Sequence, residues 1–148
     1  MCRRALPLLL LLLAAPAARA ADCTLPAGPG VDWQRCYMDG RAFVGHDLSG
    51  ARLRETSFQR ADLDGAVLTR ADAYRARFLT ARLRGARLDG AQLGEADFTK
   101  ADLEGASLAG ADLRRARFYH ASLRRADLSG ARLLGADFLN ADLSGARW

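Results

Sequence analysis

The sequence predicts an all-β fold, a four-sided solenoid of about six coils with 20 residues each. Three observations predict it. From Val31 onward a pattern repeats every five residues with no insertion. Each unit has one apolar centre, and two residues before it stands alanine, at every unit from Ala51 to Ala146 except Thr56. Above this lies a period of twenty, in the spacing of Phe58, Phe78, Phe98, Phe118 and Phe138 and in the sign of the charges. Internal repeats take precedence over any helix or strand assignment. A period of five suits neither a 3.6-residue helix nor a two-residue strand, since a helix would spread these centres over every face.

The first element is residues 1–20. Arg3 and Arg4 precede an apolar stretch, Ala5 to Leu13, that is too short to span a membrane. Ala18-Arg19-Ala20 then offers small residues where a signal peptidase reads, so a signal peptide cleaved after Ala20 is expected, with a periplasmic or secreted product. The arginine pair leaves general secretion and twin-arginine export both open. Cleavage removes three of the 22 basic residues, Arg3, Arg4 and Arg19, and leaves 19 against 17 acidic ones, a net charge of +2. Such a balance supports neither a nucleic-acid partner nor an anionic membrane surface, and no integral membrane segment is expected in the mature chain.

Residues 21–35 form the expected cap and lead-in. Pro26, Gly28, Pro29 and Gly30 rule out a helix there. Cys2 leaves with the leader, and Cys23 and Cys36 remain, an even pair in an oxidising compartment, expected to form a disulfide. Without neighbouring histidines the pair falls short of the ligand count of a zinc site. Tied in this way, the segment would cover the first coil, as a solenoid end requires.

Residues 36–148 are the solenoid body. Its corners need residues that turn the chain, and one slot of the repeat holds Gly40, Gly45, Gly50, Gly65, Gly85 and six further glycines. The charges set the number of sides. Sixteen pairs of outward residues twenty apart are both charged, and all sixteen are opposite in sign, whereas at a spacing of five the slot before the centre gives ten pairs of which four are alike. Opposite charges on adjacent strands attract and like ones repel. Residues twenty apart are therefore neighbours on successive coils, and Asp97 is expected between Arg77 and Arg117. Ala73 is the only centre too small to fill the core, so a packing defect, or Tyr74 turning to cover it, is expected there.

Ala61-Asp62-Leu63-Asp64-Gly65 and Ala101-Asp102-Leu103-Glu104-Gly105 resemble units of the pentapeptide repeat family: alanine, aspartate or asparagine, leucine, then two variable residues. The resemblance covers about residues 31–148 and is weaker before Asp47, where Cys36, Arg41 and His46 occupy the alanine slot. It implies a right-handed quadrilateral β-helix, here in an exported bacterial member. It does not imply one function. Some family members resemble duplex DNA and block DNA-binding enzymes such as gyrase. That alternative, an inhibitor or DNA mimic, calls for a long acidic rod, and this one is short, nearly neutral and alternating in sign.

The sequence holds no catalytic constellation: His46 and His120 lie 74 residues apart with no nucleophile patterned beside them. No cofactor is expected. Calcium would have to displace arginines facing the aspartates, and the nonapeptide signature of calcium-binding repeats is missing. The expected function is a non-enzymatic structural or protein-interaction module of the bacterial envelope, with a protein partner that the residues do not name. Its candidate surface is Tyr74, Leu79, Tyr119, Leu134 and Leu139 with Arg54, Arg114 and Arg115, the composition favoured at protein contacts. Phe138, Leu143 and Trp148 would form an uncovered apolar floor, through which a homodimer is expected.

Overall fold

The computed structural model describes residues 20–148, so the expected leader lies outside the described residues apart from Ala20. From Val31 on, the five-residue units repeat one local structure: a first residue that is small and inward from Ala51 on, a residue in a parallel β-bridge, an apolar centre and two turn residues. The bridges join residues twenty apart, from Asp32–Arg52 to Asp127–Arg147. Four units thus close one coil. The first side comprises 31–35, 51–55, 71–75, 91–95, 111–115 and 131–135; the second side follows it, from 36–40 to 136–140.

The backbone hydrogen bonds explain why the unit is five residues long. In the unit 51–55, the Leu53 amide donates to Asp72 O (2.7 Å) and the Glu55 amide to Tyr74 O (2.9 Å), both on the next coil, while Arg52 donates back to Val31 O (2.8 Å). Ala51 closes the preceding turn by donating to Leu48 O (3.1 Å). One amide per unit, that of the first turn residue, is left over, and buried or half-buried amides need a partner. Where the slot before the centre holds aspartate, its carboxylate supplies one. All ten aspartates in the slot before the centre, Asp32 to Asp142, accept a hydrogen bond from the amide two residues on, at 2.9–3.4 Å. This local bridge is an Asx turn.

The second turn residue has positive φ in every unit from Gly30 to Gly145, and twelve of these residues are not glycine. The left-handed region costs an L-residue roughly 1–2 kcal/mol. Thr80, β-branched at φ 53°, is the most strained type, and its hydroxyl reaches only its neighbour's carbonyl, Leu79 O. Thr80→Gly is expected to stabilise the fold by about 0.5–1 kcal/mol after glycine's extra unfolded-state entropy is subtracted. Gly105→Ala, at φ 67° with open space around it, is expected to lose about 1 kcal/mol. Urea midpoints of the two variants check both signs.

The interior is a set of columns. Phe58, Phe78, Phe98, Phe118 and Phe138 stack with centroids 4.8–5.3 Å apart and interplanar angles of 1–4°. Alanine fills the tight slot and is almost wholly buried from Ala51 to Ala126. Thr56, the exception, is equally buried and donates its hydroxyl to Trp33 O at 2.6 Å, so the one buried polar side chain in that slot is satisfied. Ala73 is sealed from solvent between Leu53 and Leu93. Tyr74 does not turn inward to cover it; the ring lies outward against Gly94.

Cys23 and Cys36 are joined by a disulfide, with Cα atoms 5.5 Å apart. Ala21 and Ala27 pack on the core, and Trp33 donates its indole N–H to Leu25 O at 3.2 Å. The segment thus covers the Trp33 side of the first coil, while Arg41 and His46 stay exposed on the third and fourth sides. In the last coil Leu133, Phe138 and Leu143 are half-buried, and Trp148 is 63% exposed with its edge against Phe138.

The charge ladder is only half made of direct contacts. Eight of the sixteen opposite pairs twenty apart lie within ion-pair distance, among them Asp97–Arg117 at 3.6 Å and Arg75–Glu95 at 2.8 Å. Asp97 sits between Arg77 and Arg117 in the bridges, as expected, but among the described residues it makes an ion pair with Arg117 alone. The reason is the Asx turn, which fixes each carboxylate over its own backbone. Long arginines then reach diagonally, as in Arg54–Asp72 and Arg84–Asp102.

The same turns make the fold acid-sensitive. The hydroxyl and amide of Ser129, and then Arg147, lower the Asp127 carboxyl from 3.8 to about 2. Serine at the equivalent turn position also lowers Asp47 and Asp142. A carboxylate whose folded pKa lies below its unfolded one stabilises fully above the unfolded value and loses that contribution as the pH falls through the folded value. The Tm advantage of the natural chain over Asp127→Asn is therefore expected to hold above pH 3.8 and to vanish as the pH falls to about 2. Melting curves at a series of pH values measure it.

Candidate protein-contact site

Two breaks in the repeat coincide in the unit 91–95. Along the first side, the slot before the centre reads Asp32, Arg52, Asp72, Gln92, Asp112, Arg132, so the alternation of charge stops at Gln92. The slot after the centre reads Gln34, Arg54, Tyr74, Gly94, Arg114, Leu134, so the column of side chains is missing one member at Gly94. The result is a notch of about 420 Å³, floored by Gly94 and bounded by Tyr74 below and by Arg114 and Leu134 above.

Tyr74 leans into the space that a side chain at Gly94 would need: a Cβ there would lie 3.2 Å from the ring. The Tyr74 hydroxyl donates to Glu95 Oε1 at 2.9 Å, and the guanidinium groups of Arg54 and Arg75 lie 4.9 and 5.0 Å from its ring centre. Cation–π contacts of this kind orient an aromatic ring firmly. Arg75, and then the Tyr74 hydroxyl, hold the Glu95 carboxyl below the usual carboxylate range. On the upper wall Arg114 donates twice to Asp112, through Nε at 2.8 Å and a terminal nitrogen at 2.5 Å. This fork-to-fork pair, chiefly, lowers the pKa of Asp112, which is only 6% exposed. The walls are thus rigid, whereas Leu134 is 81% exposed and the Arg115 guanidinium reaches Glu95 at 3.9 Å.

Of the residues singled out from sequence, Arg54, Tyr74, Arg114, Arg115 and Leu134 come together around this notch. Leu79, Tyr119 and Leu139 stand on the second side. Between the two groups runs a charged strip of Arg75, Glu95 and Arg115 beside Arg77, Asp97 and Arg117. Gly94 and Gln92 are not among those candidates, nor is Glu95, which the sequence places only in an alternating charge column. Their signal was there: Gly94 is the only glycine of the repeats outside the glycine slot. The histidines assemble no catalytic group among the described residues; the His46 ring contacts Val44 O at 3.2 Å, and His120 lies edge-on to Tyr119 at 4.2 Å.

Comparison with known sequences decides the family. The pentapeptide-repeat profile matches eight copies, over residues 47–78, 80–115 and 111–147. The chain belongs to the pentapeptide-repeat family. Pentapeptide-repeat proteins of known structure share its β-helix. It is similar to HetL, a pentapeptide repeat protein involved in heterocyst differentiation regulation from the cyanobacterium Nostoc sp. strain PCC 7120, at 33% identity and a TM-score of 0.54 over 80% of this chain and 66% of HetL. It is similar to a second pentapeptide repeat protein of Nostoc PCC 7120, at 35% identity and a TM-score of 0.59 over 68% of this chain and 83% of that one. A third, from the cyanobacterium Cyanothece 51142, shares the fold at 22% identity and a TM-score of 0.52, over 79% of this chain and 90% of that one. No curated protein matches the chain by sequence. The family match points to no enzyme family, and among the described residues no helix is long and apolar enough to cross a membrane.

Proposed function

We propose that this pentapeptide-repeat protein is a non-catalytic protein-binding module of the bacterial envelope, exported by residues 1–20 and wound as a right-handed quadrilateral β-helix of about six coils. The observation that carries the binding role is the notch at Gly94. A purely structural repeat has no use for losing a ladder charge and a column side chain in one unit, whereas a contact surface gains a recess with fixed polar walls and an exposed leucine at its rim. The occupant in this reading is a protein loop that places a side chain over Gly94 and covers Leu134. Capture from periplasmic extract with the purified mature chain tests it. The natural chain should retain a protein that Gly94→Arg, which fills the notch, does not; equal retention by both sinks the reading.

In the same reading the half-buried floor of Phe138 and Leu143, with Trp148, is covered by a second copy across a two-fold axis. Sedimentation at micromolar concentration should show a dimer that Trp148→Glu dissociates. A monomer whose mass that change leaves unaltered rejects the pairing.

A further inference from the structure

One corner of the solenoid differs from the other three. Two corners are mostly glycine, as in Gly45, Gly65, Gly85, Gly105, Arg125, Gly145 and in Gly30, Gly50, Arg70, Gly90, Gly110, Gly130. A third alternates in charge, through Arg35, Glu55, Arg75, Glu95 and Arg115. The fourth carries Arg60, Thr80, Lys100, His120 and Asn140 on successive coils, with no carboxylate in the column. All five have φ between 53° and 59°, and all five are exposed.

Arg60 and Lys100 take part in no ion pair among the described residues. The carboxylates two positions beyond them are occupied: Asp62 pairs with Arg82 at 3.4 Å and Asp102 with Arg84 at 2.5 Å. On the near side Asp39 accepts the Gln59 amide at 3.0 Å. On a chain whose outward charges otherwise alternate, this corner column holds two cations and no carboxylate, and the acid of the neighbouring column, Asp39, is held by the Gln59 amide. Its neighbouring column alternates too. Gln59 and Thr99 lie beside the two cations, and Leu79 and Tyr119 lie on the coils between and above them, followed by Leu139.

We propose that this corner binds an acidic peptide in the extended polyproline II form, laid parallel to the solenoid axis. The register is the argument. Coils repeat every 4.8–4.9 Å, measured on the phenylalanine stack. Arg60 and Lys100 are two coils apart, hence about 10 Å along the axis at the ~4.8 Å spacing of paired strands. Polyproline II has three residues per turn at ~3.1 Å each, so side chains at i and i+3 recur every ~9 Å on one face. Carboxylates at those positions meet both cations. The residues between them face Leu79, and those beyond the Lys100 contact face Tyr119, apolar surface of the kind that prolines dock on. A β-strand repeats its face every ~6.8 Å and keeps only one of the contacts; two turns of an α-helix rise ~10.8 Å and come as close, but they set six residues between the carboxylates where the surface offers one apolar side chain, Leu79, between the cations. The surface lies across the charged strip from the Gly94 notch and does not depend on it.

Fluorescence anisotropy of labelled peptides against the purified mature chain tests the proposal. A peptide of four Asp-Pro-Pro repeats should bind, and more weakly as salt rises. Four Asp-Gly-Ser repeats, with the same charge and no preformed helix, should bind about tenfold more weakly. Lys100→Glu and Arg60→Glu should each weaken the Asp-Pro-Pro peptide about tenfold, and Tyr119→Ala should weaken it as well, while Gly94→Arg leaves it unchanged. Loss of binding in Gly94→Arg would place the peptide in the notch and overturn the assignment to the corner. Equal binding of the two peptides would overturn the conformational claim. Absence of binding, or retention of the chain by phosphatidylglycerol vesicles in a manner abolished by Lys100→Glu, would overturn the peptide as ligand.

Discussion

Phe98→Ala is expected to cost about 3–5 kcal/mol, the range for removing a buried aromatic side chain. Phe98 lies in the middle of the stack, 4.8 Å from Phe78 and 4.9 Å from Phe118, and is fully buried. Its removal empties a site closed above and below by rigid rings, which cannot collapse into the gap. In a solenoid each coil touches only its neighbours, so the damage falls on the junction between two halves. The urea transition should shift to lower concentration and also broaden, as the halves begin to unfold separately. Ala73→Leu, which adds apolar volume at the one undersized centre, is expected to be neutral or stabilising by the same logic. If Ala73→Leu proved the more damaging of the two, the interior would be filled differently from the columns described above.

Loss of the Cys23–Cys36 bond is expected to cost about 3 kcal/mol, the value for a loop of roughly this length. The effect should be local. The bond holds a segment without regular bridges over Trp33, so Cys23→Ser should speed hydrogen exchange at the Trp33 and Cys36 amides while leaving the coil around Phe98 protected. Thiol labelling of the purified, non-reduced mature chain should find no free cysteine. Two reactive thiols would remove the bond from the account of how this end is closed.

The wrap was legible because it is written twice, in the phenylalanine spacing and in the charge signs, and both were reproduced by the bridges between residues twenty apart. The role of the aspartates was not read, although the sequence carried it. The slot before the centre holds ten aspartates and no glutamate. A ladder of opposite charges accepts either acid; only the shorter side chain can turn back onto an amide two residues on. Reading the slot as a charge ladder therefore yields the neighbours but not which of them touch, and Arg77, a bridge neighbour of Asp97 without an ion pair, is the residue where the difference shows. The notch was half legible. Its walls, Tyr74, Arg114 and Leu134, stood out as exceptions to a polar pattern, but its floor is the absence of a side chain at Gly94, which hydrophobic and charge patterns do not register. How far an arginine reaches, to the same level or diagonally, depends on rotamers that no spacing encodes, as Arg84 and Asp102 illustrate.

The interior of this solenoid counts in fives and its exterior in twenties, and the two codes are separable. Excision of one unit, such as 101–105, would leave every remaining centre and alanine facing inward. Everything beyond the cut, however, would rotate by a quarter turn about the long axis. Leu123 would come to rest on Phe98 in place of Phe118, and Tyr119 would arrive above Gly94 where Arg114 now stands. A single crossover between misaligned gene copies would in this way deal a new outer face onto an old scaffold, without any point substitution and without exposing the core. Recognition in such a molecule is a matter of phase as much as of composition.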